Sequence, residues 1–255
     1  EDLGILDAER AAKVTGARFT FYKGLGARLE WALLNYFIDT HINDGYELCL
    51  VPHMLGYECG LTAGQFPKFK DEVYWLEAAE DERRRFMLPT AETALVSLHR
   101  DEILTEADLP RKYISYTPCF RREAGSYRAD ERGMVRGHQF NKVEMVQYVT
   151  EDKTEEAFDE LLKDPKVIAV GEVGLDYFCE KKTPEVEARQ LEWFHKFIDL
   201  ANKHNKPIII HSRDAIDATY NVLKEHKVNK AGIIHCYSAG KDYVKRYTEL
   251  GYYFG

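Results

Sequence analysis

The chain has 255 residues, 45% of them hydrophobic and 31% charged, and a formal net charge of −8 at pH 7. That balance belongs to chains that bury a core and excludes a disordered one; no apolar run approaches the roughly 18 residues that span a bilayer. The excess of acid argues against a nucleic-acid footprint over the whole surface, although a local basic loop can still meet phosphates. The length allows one large domain or two ordinary ones. Glu1 opens the chain with no initiator methionine and no secretory h-region follows, which reads as a fragment or a processed chain. Cys49, Cys59, Cys119, Cys179 and Cys236 form no C-x-x-C pair, a pattern of free thiols in a reducing cytoplasm.

In chain order, Leu25, Leu29, Ala32, Leu33, Tyr36 and Phe37 recur at helical spacing and predict an amphipathic helix over 24–43. Gly45 breaks it, and 46–52 reads as a strand halted by Pro52. Residues 86–98 predict a strand, a Pro-Thr turn and a helix, and 112–120 and 138–149 predict two strands around a polar loop. A helix over about 154–163, closed by Asp164-Pro165, marks a change of pattern. Beyond it, apolar strands at 167–174, 207–212 and 232–238 alternate with helices at about 185–204, 214–226 and 240–250, the pattern of βαβ units and a parallel sheet.

Period-2 alternation puts Arg121 and Glu123 on one strand face, and Phe140, Lys142 and Glu144 on one face of the next. Paired as a hairpin, the two strands bring a guanidinium, carboxylates and an aromatic ring to one surface, a combination suited to ATP. An isolated R-x-E would read as a solvated charged face; the ordered run of motifs around this one outweighs that reading.

Phe120–Glu144 resembles motif 2 of the class II aminoacyl-tRNA synthetases, in its seryl version. LTAGQFPKF (61–69), LPTAE (88–92) and RGHQFNKVE (136–144) stand in the order that family uses, and the region ending at Pro52 resembles its dimer-forming motif 1. The likeness covers about residues 1–156. It implies an α+β, antiparallel-sheet core that activates serine with ATP and Mg²⁺. Thr90, Glu92 and Glu144 would bind serine, Arg121 the α-phosphate as the catalytic cation, Glu123 the adenine, and Phe140 would stack on it. The loop at Ser126–Arg136 would face the acceptor end of tRNA, and motif 1 would give a homodimer. Gly137 departs from the larger residue usual in the family and is expected to loosen packing against the nucleotide. Motif 3, with its second ATP-binding arginine, and the tRNA-binding arm have no counterpart in the sequence.

The second constellation is Glu172, His211 and His235, each expected at the C-terminal end of a strand, where parallel barrels gather their active sites. Taken alone, strand-end histidines bonded to loops are as good a reading as metal ligands. GEVGLDYF, KPIIIHSRDA and GIIHCYSAG, over about 161–255, resemble the TatD-type metal-dependent deoxyribonucleases. The likeness implies a partial (β/α) barrel, a divalent metal such as Mg²⁺ or Zn²⁺ on Glu172, His211 and His235, Asp176 and Arg213 lining the site, and DNA as partner. The family's His-x-His opening and its later Asp are missing, and FIDTHIN (37–43) reads as helix with an exposed His41 rather than as that opening.

Trp31, Trp75 and Trp193 read as core or interface aromatics, and Glu80–Arg85 and Lys181–Lys182 as solvated turns. The sequence therefore leaves three readings: a serine-activating enzyme with a replaced C-terminal part, a hydrolase with a foreign N-terminal half, or a fusion without full turnover. The third is favoured for turnover and the first for identity. Two separate sheets, one antiparallel and one parallel, joined through the helix at 154–163, are expected.

Overall fold

A computed structural model describes residues 3–77, 84–123, 136–178 and 182–255. The chain divides into two compact units, Glu1–Thr150 and Glu151–Gly255. Among the described residues no helix is long and apolar enough to cross a membrane.

The first unit opens with α1 (Ala8–Thr15), whose N-cap Asp7 accepts from the Arg10 amide. Asp7 is also held by the side chains of Arg10 (2.6 Å) and Lys23 (3.1 Å), which ties the helix to the segment that follows it. Next comes α2 (Leu25–Asn43), which covers the FIDTHIN stretch as a helix. His41 in it is partly buried, pairs with Asp44 at 3.2 Å and meets the Tyr46 ring, so the exposed position expected for it is corrected. Then follow β1 (Glu47–Leu48), β2 (Met54–Gly56), α3 (Tyr57–Thr62), β3 (Arg85–Met87), α4 (Ala91–Leu95), β4 (Arg111–Phe120) and β5 (Gln139–Tyr148).

β4 and β5 pair antiparallel over their full lengths, with Ser115 opposite Glu144, Thr117 opposite Lys142 and Cys119 opposite Phe140. β1 joins β4 in parallel through Glu47 and Leu48 alone, so the strand expected over 46–52 is shorter and the sheet is mixed rather than antiparallel. The pairing stops because beyond Cys49, whose amide still reaches the Ile114 carbonyl, the chain turns toward the separate β2–β3 ladder. α2 covers one face of the sheet, where Trp31 packs on Tyr116 and Glu30 accepts from Asn141. Trp31 stays 53% exposed, which makes it a surface aromatic and not a core one. The other face carries α4 and a core of Leu55, Phe66, Phe86, Leu88 and Cys119.

The second unit holds α5 (Thr154–Leu162), β6 (Val170–Asp176), α6 (Pro184–Lys203), β7 (Ile208–Arg213), α7 (Ile216–Glu225), β8 (Ile233–Ile234), α8 (Lys241–Glu249) and β9 (Tyr253–Phe254). Its four strands are all parallel and ordered β6-β7-β8-β9. Thr183 caps α6, with Pro184 and acidic residues in the first turn, a favourable helix start that delivers the crossover to β7. Leu175, Phe194, Ile198, Ile208, Ile210 and Tyr247 are wholly buried in its core. Each such side chain contributes roughly 1.5–3 kcal/mol on leaving water.

β6 begins and ends later than expected from the apolar run at 167–174, because Lys206 holds the Asp164 and Val167 carbonyls and pairing begins only where the Val170 amide meets Pro207. Gly174 lets β6 approach β7 closely: a Cβ there would overlap the His211 carbonyl.

Candidate functional site

On the α4-covered face of the first sheet, Thr90, Glu92, Lys142 and Glu144 form one network. Thr90 Oγ1 and the Glu92 amide donate to Glu144 Oε2 at 2.6 and 3.0 Å. Lys142 Nζ reaches Glu144 Oε1 at 2.6 Å and donates to Thr90 Oγ1 at 2.7 Å. α4 supplies the first pair because Thr90 is its N-cap in extended backbone, and β5 supplies the second by alternation. Gln65, in the LTAGQFPKF segment, accepts from Thr93 and fixes α4 from behind.

The electrostatics of the two carboxylates are opposed. Burial pushes the Glu144 carboxyl up, but hydrogen bonds from Lys142, Thr90 and the Glu92 amide outweigh it, so it stays below the usual range and ionised. Glu92 is raised, first by burial and then by the negative charge of Glu144, although its outer edge remains open to water.

Arg121 lies beside this network. Its Nε donates to the Pro89 carbonyl at 3.1 Å, one residue before Thr90, and its guanidinium stands 5.1 Å from the centroid of the Phe140 ring. Guanidinium and half-buried ring thus share one surface with the Thr90–Glu144 network, as the hairpin alternation requires. Glu123 does not follow. It leaves the strand with φ 50°, and its carboxylate faces Arg136 at 3.6 Å. A cation and an aromatic face fit a nucleotide here, while Glu123 would have to release Arg136 to meet a base.

At Gly137 a Cβ would lie 3.2 Å from the Gln139 carbonyl oxygen and 3.4 Å from that of Arg18, so its lack of side chain permits a close approach of these segments. The part played by Lys142 went unread in the sequence, though its place between Phe140 and Glu144 on one face was a usable signal. Of the loop at Ser126–Arg136, all but Arg136 lies outside the described residues, as do Glu80–Arg83 of the polar turn, Cys179 and Lys181.

In the second unit, Glu172 Oε1 lies 2.8 Å from His211 Nδ1, and Glu172 Oε2 lies 3.8 Å from His235 Nε2. His211 Nε2 meets Asp176 Oδ2 at 3.0 Å. The hydrogen bond to Glu172 comes first among the causes that raise the His211 imidazole, and the same bond comes first in lowering the Glu172 carboxyl. Glu172 is not at the end of its strand. It sits in an irregularity between Val170 and Val173, and β6 runs on to Asp176. Arg213 turns its guanidinium over the Phe178 ring, 4.2 Å from the centroid.

One carboxylate between two imidazoles, with Asp176 orienting one of them, suits a divalent cation in donor chemistry. Among the described residues, however, no three His, Cys, Asp or Glu side chains close on one metal-sized point. The donors fit; the three-point cage is open.

Residues 74–172, which include this network, match the model of the tRNA synthetase class II core domain (G, H, P, S and T). Residues 144–255 match the TatD related DNase model. The chain thus has a serine–tRNA ligase-like N-terminal region and a TatD-like C-terminal region. It is 59% identical over 178 residues to "Serine--tRNA ligase 2" of Clostridium acetobutylicum, a match covering 69% of this chain and 42% of that protein. Among solved structures it resembles seryl-tRNA synthetase from Pyrococcus horikoshii complexed with ATP, at 35% identity and TM-score 0.56 over 63% of this chain and 35% of that one. The cytoplasmic serine-tRNA ligase of Naegleria fowleri in complex with AMP matches at 28% identity and TM-score 0.57, over 63% of this chain and 37% of that one.

Proposed function

We propose that the chain joins two incomplete enzyme parts at a junction within about ten residues of Leu161, and that its N-terminal part is a serine- and ATP-binding site of adenylating type without full turnover. The observation that carries this reading is the Thr90–Glu92–Lys142–Glu144 network continuous, through Pro89, with Arg121 over Phe140. Glu144 and Thr90 present acceptor and hydroxyl to the polar ends of serine, and such a site penalises analogues lacking the hydroxyl. Arg121 supplies positive charge for the α-phosphate, where charge builds as the carboxylate attacks, and Phe140 offers a face to adenine.

Full turnover is not expected, because the sequence after β5 reads as parallel βαβ units and not as the motif 3 that carries the family's second ATP-binding arginine. The same 2.7–4 kcal/mol range that one missing transition-state donor costs in measured cases applies here, roughly a loss of 10²–10³ in rate. Serine-dependent exchange of pyrophosphate into ATP tests the reading. Binding of ATP with exchange near background is the expected result, and absence of ATP binding would sink it.

For the C-terminal part, the approach of Glu172 to both His211 and His235 supports a divalent-cation site and, as an alternative activity, metal-dependent hydrolysis of DNA. A bound cation would lower the pKa of a coordinated water. Metal-dependent release of nucleotides from DNA is the test. A cytoplasmic setting is supported by the free state of all four described cysteines. A homodimer is supported by the exposed apolar residues of α2, among them Leu25, Leu29, Leu33 and Tyr36. tRNA would have to be met through the loop at Ser126–Arg136.

A further inference from the structure

A third set of chemistry-bearing side chains lies outside both constellations, where α6 meets the end of α7. His195 and Asp199 are one helical turn apart on α6, and His226 is the C-cap of α7. Nδ1 of His195 and Nδ1 of His226 lie 2.7 Å apart, with the ring planes inclined at 22° and their centroids 5.0 Å apart, so the rings meet edge to edge. On the far side of the His226 ring, Nε2 meets Asp199 Oδ1 at 2.7 Å. The His226 side chain is 31% exposed, so hydrated ions reach it from solvent.

Two ring nitrogens at this distance cannot both carry a proton, and two bare lone pairs would repel. One of them donates its N–H to the other, unless a metal cation takes the place of that proton and accepts both lone pairs. Asp199 decides the tautomer of one partner. A carboxylate accepts only, so His226 donates through Nε2–H and its Nδ1 lone pair is left facing His195. This is the relation by which a carboxylate orients a metal-binding imidazole and raises its basicity.

We propose that His195 and His226 form a bis-imidazole site for a first-row divalent cation of the Ni²⁺, Cu²⁺ or Zn²⁺ class, with both Nδ1 atoms as ligands and Asp199 as the residue that positions His226. Imidazole suits these ions, with Cu²⁺ bound most tightly. Metal–nitrogen bonds of about 2.0–2.1 Å at a tetrahedral angle need the nitrogens roughly 3.3 Å apart, an opening that small side-chain rotations supply. No third His, Cys, Asp or Glu closes on the point among the described residues, so water fills the remaining positions and the ion exchanges readily. A loaded site clamps the end of α7 to the middle of α6, both of which belong to the second unit's core.

The test uses the full chain and Ni²⁺ alone. Because the ion binds the folded state, Tm should rise with its concentration, on the order of 5 °C at a hundredfold excess over Kd. In a His211→Gln background, which removes the cation site on the sheet, Tm should still rise, and adding His195→Gln or His226→Gln should each abolish that rise. A rise lost in His211→Gln and kept in His195→Gln would place the ion on the sheet and overturn the proposal, as would no rise at all. Should His226→Gln fail to fold, imidazole ¹⁵N spectra of the unaltered chain decide the matter. Zn²⁺ should shift the Nδ1 resonances of His195 and His226 before those of any other histidine, and shifts confined to other histidines would refute the site.

Discussion

Glu144 is the residue on which the first site turns, since it accepts from Thr90 and the Glu92 amide with one oxygen and pairs with Lys142 through the other. A half-buried carboxylate so engaged loses a charged acceptor when replaced by its amide. Glu144→Gln should weaken serine binding by about 1.5–3 kcal/mol, roughly 10- to 150-fold, while leaving ATP affinity within a factor of a few. Isothermal titration with each ligand separates the two, and equal losses for both would place Glu144 outside the serine pocket. Asp7 offers a residue-scale prediction in acid. The side chain of Arg10, then its amide, and then Lys23 lower its carboxyl to about 2. A carboxyl held lower in the folded chain than in the unfolded one adds stability above the unfolded value, near 4, and loses it as pH falls toward about 2. The stability advantage of the parent chain over Asp7→Asn should therefore fade between about pH 4 and pH 2, measured by urea unfolding, and be constant above pH 5.

At the scale of elements, the close pairing of β6 and β7 depends on Gly174, against which the His211 carbonyl is packed. Gly174→Ala must push the strands apart and should cost roughly 3 kcal/mol, seen as a lower urea midpoint for the second unit. An unchanged midpoint would mean that the strands are not held at this spacing. The same strands show what periodicity conveys and what it omits. Alternation correctly joined Arg121 to Phe140 and Lys142 to Glu144, because a ten-residue antiparallel ladder fixes both faces once its register is set. It did not place Glu172, because an irregularity between Val170 and Val173 has no periodic signature. Nor did it place Glu123, which a single positive φ turns toward Arg136. β9 was missed, since two residues paired only to β8 are defined by their neighbour and not by their own pattern.

At the scale of the molecule, the longer helices α2, α5, α6, α7 and α8 and the parallel character of the second sheet could be read from the sequence because each rests on runs long enough to show a period. The arrangement of short strands could not, since partners decide it. One surface bears on assembly: α2 exposes Leu25, Leu29, Leu33, Tyr36 and Phe37, and Leu48 and Leu50 follow in the next segment. A monomer seldom leaves so many large apolar side chains along one element in water. The chain should be a dimer in light scattering at micromolar concentration, and Leu29→Asp with Leu33→Asp should yield a folded monomer. A dimer that survives both changes would put the interface elsewhere.

Lys142 and Glu144 give the first site an internal ion pair, so its carboxylate carries its own counter-ion. In the proposed serine site a zwitterionic ligand would trade one ion pair for another and leave the net charge unchanged. Long-range fields then contribute little to capture, and salt that screens them has little to act on. Affinity for serine should stay nearly level between low and moderate ionic strength, whereas affinity for ATP, which brings several uncompensated charges to Arg121, should fall. Titration of both ligands across a salt series reads this difference directly, and a parallel decline would mean that the internal pair opens before the ligand arrives.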